Sequence, residues 1–541
     1  MKRFDYVIVG AGSCGCVLAN RLSEDPAVSV LLLESGPKDR SPFISMPRGY
    51  AKVMTDPNYS WVYPVKRGEG ANEPEFHLRG RTLGGSSSIN GMVYMRGQPD
   101  DYDGWNVPGW DWSTFLGAYK AIERHEFGEG ETRGGSGPLR ISARPYKIPL
   151  CDAVLAGASE LGAPRREDLN AQAGEGVGYA ARNIWHGRRQ SAAVAFLKPA
   201  LGRRNLTVVT ETMIDSITFA NGRATGVVGR GAAGPVSYLA DRGVILAAGA
   251  INTPKLLQLS GIGPARILTR NGIKPLVDAP ELGRNLSDHR CFFLKFRVNS
   301  GSENQEFSGW RLYRNALLQT LFGEGPLSRP AFEVGGYVRS SPDLAGPDIR
   351  LLVNPVTLDP SPGAMRMEPL PGLTIGGYQM TPKSRGHLEI ASADPNDKPI
   401  IVTNALDHED DRRAAIGMVR YIRRLARTDA LAPFDPKEIF PGVDVETDEQ
   451  ILSAWRRFGG SGMHISGTCR MGVDEASVVD PSLQVRGVQG LFVADISVLP
   501  SVVSGNTNAP AMALGYLAAD RIRESANRQR PITSAPVAAV A

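Results

Sequence analysis

The strongest constraint on this chain sits in its first 34 residues. A β-rich apolar run, Phe4-Asp-Tyr-Val-Ile-Val9, leads into Gly10-Ala-Gly12-Ser13-Cys-Gly15. A helical pattern through Val17, Leu18 and Leu22 follows, and Pro26 predicts its end. Residues 28–33 form a second apolar run with Glu34 at its close. Strand, glycine turn, helix and strand within about 30 residues make a βαβ unit. Such units demand a parallel sheet with helices covering both faces.

Each glycine of the turn has its own task. Gly10 permits the tight turn, Gly12 lets the backbone approach a pyrophosphate, and Gly15 lets the helix pack on the strand. The helix N-terminus, with Ser13 in its first turn, offers unsatisfied N–H groups to phosphate oxygens. A carboxylate at Glu34 can bond both ribose hydroxyls and would repel a 2′-phosphate. The unit therefore predicts FAD or NAD rather than NADP.

At 541 residues the chain exceeds one simple core, so more than one domain is expected. Hydrophobic residues at 42% and charged residues at 22% fit a globular protein. The net charge of +5 is small for this length, and no Lys/Arg run tracks phosphates, which argues against nucleic acid. No apolar run reaches the roughly 18 residues of a membrane span, though peripheral attachment stays compatible with the sequence. Cys14, Cys16, Cys151, Cys291 and Cys469 form no CxxC or zinc-like set. Reduced thiols in a cytoplasm and no metal site are expected. Cys14 and Cys16 read as small packing residues, and residues 4–9 already read as core rather than as a signal peptide.

Residues 37–80 hold no long periodic segment and read as excursion loops. Residues 110–127 and 150–162 read as amphipathic helices. Leu206–Val209, 216–219 and 224–228 suggest a small β-meander, and 244–249 a buried strand ending at Gly249. A helix with Pro254 early in it follows. Residues 491–494 form a late strand that ends at Asp495, and 508–524 a last helix. The expected division is a dinucleotide domain over 1–290, a substrate-binding domain over 291–455 and a return to the first domain over 456–525. A Pro/Ala-rich tail over 526–541 is expected to be disordered.

Three further segments separate FAD from NAD. They are Gly80-Arg-Thr-Leu-Gly84-Gly85-Ser86-Ser-Ser-Ile89-Asn90-Gly-Met-Val93-Tyr-Met-Arg-Gly97, Gly249-Ala-Ile-Asn-Thr-Pro-Lys-Leu-Leu-Gln-Leu-Ser-Gly261-Ile-Gly263, and His464-Ile-Ser-Gly-Thr-Cys-Arg-Met-Gly472 with Asn506-Thr507-Asn508-Ala-Pro510 downstream. Together with the N-terminal unit they resemble the glucose–methanol–choline (GMC) oxidoreductase family over nearly the whole chain. The likeness is greatest to its bacterial choline, long-chain alcohol and sorbose dehydrogenases, and pyridoxine and hydroxymethylfurfural oxidases are similar. The resemblance implies an α/β fold: a Rossmann-like FAD-binding domain with a second α+β substrate domain built on an antiparallel sheet.

The resemblance also implies roles for single residues. Gly84, Gly85 and Ser86 would lie against the isoalloxazine ring, with Asn90 and Val93 beside its reactive edge. Ile214 matches a position that contacts adenine, and Asp495 one near the flavin phosphates and ribityl chain. Asn506 and Thr507 precede a helix whose N-terminus would face the flavin pyrimidine. Some choline oxidases carry a flavin-linked His where this chain has Ile89, so non-covalent FAD is expected.

Taking hydride from an alcohol carbon also requires a base for the hydroxyl proton, and histidine suits that task near neutrality. Of the seven histidines, His464 lies in the motif the family uses for chemistry, and Asn508 matches its second catalytic position. An amide cannot be the base but can bond the substrate oxygen. His289 and Cys469 read as structural. Many relatives have Pro after the catalytic His, where this chain has Ile465. The expected reaction is FAD-dependent oxidation of an alcohol, preferably primary, with oxygen or a quinone- or dye-type acceptor. A flavin-bound hydroxynitrile lyase and an NAD-dependent dehydrogenase are the alternatives.

Overall fold

The structure, a computed structural model, describes residues 2–68, 75–359 and 366–528. The nucleotide end of the chain forms as its glycines require. Strand β1 (Lys2–Val9) runs into helix α1 (Ser13–Leu22) and back through β2 (Val30–Leu33). Helix α1 closes at Leu22, ahead of Pro26, because Ser23 already leaves the helical conformation.

Seven strands make the first sheet. The labelled strands continue with β3 (Leu206–Val209), β4 (Met213–Ala220), β5 (Arg223–Gly231), β6 (Gly234–Leu246) and β7 (Leu491–Val493). The order β3-β2-β1-β6-β5-β4 is parallel from β3 to β6 and antiparallel beyond it, and β7 pairs in parallel with β6. This corrects the expected meander. Leu206–Val209 is instead the edge of the parallel half, and the third meander strand is β6 itself. One 13-residue strand thus serves both the antiparallel ribbon and the buried parallel core. Helix α2 (Gly249–Leu259) follows β6 with Pro254 in its middle rather than near its start. Helix α3 (Asn508–Arg528) packs against α1, so the first residues of the expected tail are helical and the rest lie outside the described residues.

The second sheet is also seven-stranded and antiparallel throughout. Its order is Lys437–Phe440, Arg290–Arg297, Gly372–Gln379, Ile349–Asn354, Val334–Val338 and Gly176–Tyr179, with Gly460–Ser461 also paired to Arg290–Arg297. The first strand of the chain to join it, Gly176–Tyr179, precedes the 291–455 segment, and Gly460–Ser461 follows it. Helices Glu409–Leu425, Asp448–Phe458 and Pro149–Glu160 bury their apolar faces on one side of this sheet. Elsewhere on this sheet Tyr337 packs with Val93 and Met95, and Tyr378 stacks on His289.

The expected excursion over 37–80 is more ordered than its composition suggests. It holds short helices at Pro42–Ser45 and Tyr50–Met54 and a hairpin of Ser60–Val65 with Glu75–Gly80. That hairpin carries Trp61, Tyr63 and Arg79 to a cavity lined also by the ends of β1 and β2. Among the described residues, no helix is long and apolar enough to cross a membrane, and no cluster of His, Cys, Asp and Glu could hold a metal ion.

Candidate functional site

A cavity of about 460 Å³ has the glycine turn in its wall and is also lined by His464. Gly10 holds φ at 106°, and a Cβ there would stand 2.5 Å from the Ala247 carbonyl oxygen. Gly15 is tighter still, since its Cβ would meet Gly10 O at 1.9 Å. Gly12 faces open space, with only Ala247 O within 4 Å of an added Cβ. Helix α1 starts there without any side-chain cap, so its first N–H groups are free to meet an anion.

Glu34 is buried at the end of β2, where Oε2 accepts from Ala11 N at 3.0 Å and Oε1 from Gly36 N at 2.9 Å. Burial pushes its carboxyl upward, and these N–H bonds work against that. Ile214 lies beside it on the same wall.

A second glycine loop closes over the first. Gly84 N donates to Ala11 O at 2.8 Å. Gly84 and Gly85 take φ values of 87° and 52°, and a Cβ on Gly85 would sit 2.7 Å from Gly12 Cα. Ser86 Oγ accepts from Gly80 N at 3.1 Å and holds the loop to the hairpin. Asn90 is pinned by Arg189, whose Nη1 donates to Asn90 Oδ1 at 2.8 Å and to Asn90 O at 2.7 Å. Burial pulls the Arg189 guanidinium down to about 9. Val93 lines the cavity beyond, and Ile89 packs with Ile44 and Val53.

Asp495 closes the far wall after β7. Its Oδ2 accepts from Gly249 N (2.8 Å) and Thr253 Oγ1 (2.6 Å), and Oδ1 caps the next turn at Ser497 N (2.9 Å). It ties α2 to the strand end and raises its own pKa through burial, which its hydrogen bonds oppose. Gly249 has φ of 84° and nothing within 4 Å of an added Cβ.

His464 stands at the other end of the cavity, only 7% exposed. Its backbone N–H donates to Asp288 Oδ1 at 2.8 Å. Its Nδ1 meets His289 Nδ1 at 2.8 Å, and His289 Nε2 meets the Met380 carbonyl oxygen at 3.0 Å. Tyr378 stacks on His289 with ring centroids 4.1 Å apart. Asn506 Nδ2 lies 3.2 Å from His464 Nε2. Burial, His289 and Arg79 together hold His464 well below the ordinary histidine range. Behind the pair, Glu75, His77, Asp288 and His289 line a chamber of about 30 Å³, room for one or two waters.

Asn508, expected as the second catalytic residue, lines the same cavity as His464, but its side chain bonds elsewhere. It opens α3, and its Oδ1 accepts from Ser13 Oγ at 2.8 Å, tying the starts of α1 and α3 together. The amide that touches His464 is Asn506. Asn506, Thr507 and Asn508 all line the cavity, because the turn before α3 crosses it. Every expected site residue lines it except Gly15 and Gly84, which sit one layer behind and let backbones close up. His289 was read as structural; its partner lies 175 residues away in sequence, a relation no local pattern carries. Cys14, Cys16 and Cys469 are buried free thiols pushed upward by burial, as packing residues are. Ile465 is fully buried beside Tyr63 and Leu286.

The residues fit an elongated dinucleotide. Glu34 and an uncapped helix start lie at one end, open-faced Gly12 and Gly249 along the wall, and the buried, unpartnered Asn506 Oδ1 at the other. The comparisons agree with this. The GMC oxidoreductase family matches residues 4–291 with its N-terminal part and 382–515 with its C-terminal part. An alcohol dehydrogenase [acceptor] of Pseudomonas putida is 37% identical, over 96% of this chain and 95% of its own. An oxygen-dependent choline dehydrogenase of Sinorhizobium fredii is 39% identical, over 96% and 95%. The crystal structure of pyridoxine 4-oxidase from Mesorbium loti superposes with a TM-score of 0.86 at 30% identity, covering 96% of this chain and 99% of that one.

Proposed function

The chain belongs to the GMC oxidoreductase family, and from that premise we propose that His464 Nε2 takes the hydroxyl proton of an alcohol substrate. The protein is an FAD-dependent oxidoreductase acting on CH–OH donors. When bound, FAD supplies the hydride acceptor, N5 of its isoalloxazine ring. The relatives are dehydrogenases and oxidases, which favours redox chemistry over a lyase and over NAD.

The observation that carries the base assignment is a chain of hydrogen bonds. The Met380 carbonyl can only accept, so His289 Nε2–H donates to it. His289 Nδ1 then holds a lone pair and accepts from His464 Nδ1–H. His464 Nε2 is left with its lone pair toward the cavity, ready for a proton. A hydroxyl entering between His464 and Asn506 donates to Nε2, while its oxygen accepts from the Asn506 amide. Asp288 holds the His464 backbone N–H, and its charge acts on the His289 ring.

Glu34, Ser13 and the two glycine loops would hold the dinucleotide, Ile214 its adenine end, and Asp495, Asn90, Val93 and Thr507 its flavin end. Non-covalent attachment is the reading that Ile89 supports, since it offers no nucleophile and packs in an apolar cluster. The first domain would span 1–290 and 456–525, and the substrate domain 291–455. Trp61, Tyr63 and Phe332 on the cavity wall favour a primary alcohol carrying an aromatic or heteroaromatic group. The electron acceptor is oxygen or a quinone-type molecule, and five buried free thiols fit a reducing cytoplasm. The test is an alcohol panel run with oxygen against a dye acceptor, beside the His464→Ala protein. Turnover should fall about 100-fold or more with yellow flavin retained, and acid precipitation should release that flavin. Undiminished turnover in His464→Ala would sink the assignment.

A further inference from the structure

The strand Ile349–Asn354 sets Arg350 between Tyr337 and Tyr378, its register partners on the two neighbouring strands. Side chains in register share a sheet face, so the three form one row, and all three are fully buried. The guanidinium lies over the Tyr337 ring, 4.9 Å from its centroid. Gly335 makes room for it, since a Cβ there would come within 3.2 Å of Arg350 Nη1.

None of Arg350 Nε, Nη1 and Nη2 makes a close hydrogen bond among the described residues; the guanidinium's polar neighbour is the Tyr378 hydroxyl, and Gln98 is that of the Tyr337 hydroxyl. The guanidinium offers only donors, and both hydroxyls can donate. Asp101 is the carboxylate that acts on Tyr337 through space. Its oxygens are already taken by Gln98 N, Ser504 N and Ser504 Oγ, so it does not pair with Arg350. A buried guanidinium whose polar neighbours are phenol hydroxyls rather than a carboxylate carries most of its charge uncompensated, which is unfavourable unless an anion completes it.

We propose that Arg350, Tyr337 and Tyr378 hold a small monovalent anion of halide size behind the catalytic histidine pair. Arg350 is fully buried and lines neither the catalytic cavity nor the chamber beside it, which favours a small free anion over a group carried by the substrate. Tyr378 connects the site to the chemistry, stacking on His289 and meeting the His464 ring edge-on at 5.6 Å. Negative charge placed there favours a protonated histidine pair and so strengthens the base. The inference is independent of which alcohol is oxidised.

The test is to melt the flavin-loaded protein in bromide, chloride and gluconate at equal ionic strength. A saturable rise in Tm on the order of a few degrees is expected in the halides and not in gluconate, which is too large for the site. Arg350→Gln should flatten the halide dependence, and Tyr337→Phe or Tyr378→Phe should move its midpoint to higher halide. Bromide-soaked crystals of the unaltered protein should show an anomalous peak beside the guanidinium, a readout that stands even if Arg350→Gln does not fold. Equal melting in all three salts, a halide effect that survives Arg350→Gln, or ordered water alone at the guanidinium would overturn the proposal.

Discussion

His289 and His464 face each other through their Nδ1 atoms at 2.8 Å, with ring planes 86° apart. Two neutral imidazoles share one proton across such a contact, and the Met380 carbonyl decides which ring holds it. His289 is therefore a positioning residue. His289→Ala frees the His464 tautomer, and kcat should drop about 10- to 100-fold with KM little changed, as for other groups that orient a reacting histidine. Steady-state kinetics with saturating acceptor measures this split. Equal losses in flavin content would point to misfolding instead.

The same pair sets an acid limit. Burial holds His289 at about 4, and His464 also lies well below the ordinary histidine range. Folded values below the unfolded one mean that the pair's contribution to stability is full above about 6.5 and is lost as pH falls through 4. Tm should stay level from about pH 8 to 6.5 and then decline toward pH 4. His289→Gln should make that decline shallower.

Asn506 and Asn508 should separate by phenotype. Asn506→Ala removes the amide 3.2 Å from His464 Nε2, and turnover per bound flavin should fall about 100-fold. Asn508→Ala removes the acceptor of Ser13 Oγ between two helix starts. Its main loss should be flavin retention on dilution, with near-normal turnover per flavin. The reverse pattern would restore the assignment made from the sequence.

Glu75 is the hub of a buried charge cluster. Its Oε2 accepts from Arg67 Nε at 2.7 Å and Arg290 Nη1 at 3.0 Å, and Oε1 from Ser461 N at 2.9 Å. Burial pulls its pKa up, but His77 and Arg290 outweigh that and hold it at about 2. Glu75→Gln leaves two largely covered guanidinium groups without their carboxylate. Denaturant unfolding should show a loss of about 3–5 kcal/mol.

Gly85→Ala puts a methyl group 2.7 Å from Gly12 Cα, in a backbone conformation that disfavours a side chain. The two glycine loops would have to part. Visible flavin absorbance per protein should fall sharply while circular dichroism stays near that of the parent chain.

The geometry of the glycine turn and the strand end was legible in the sequence because it is local. Gly10, Gly12 and Gly15 act within one turn, and Glu34 ends the next strand. The roles of Asn506, Asn508 and His289 depend on long-range geometry. Asn506 and Asn508 both precede or open one helix, and only the path of the turn decides which amide reaches His464. The part played by His289 was hidden for the same reason, since its neighbour is set by how the second sheet docks. Leu206–Val209 resembled a meander strand because a short β-rich run says nothing about its partner; pairing with β2 came from the crossover that precedes it.

Strand β6 carries one further implication. Its residues Val236–Leu239 pair with the antiparallel ribbon, and Val244–Leu246 pair with β1 and β7. The ribbon is thus spliced to the nucleotide core through continuous backbone, not appended to it by a loop. Amide exchange in β5 and β4 should therefore slow in step with that of β1, as members of one cooperative unit. A proteolytic nick within 240–243 would release both halves of the sheet together, and the nucleotide pocket with them.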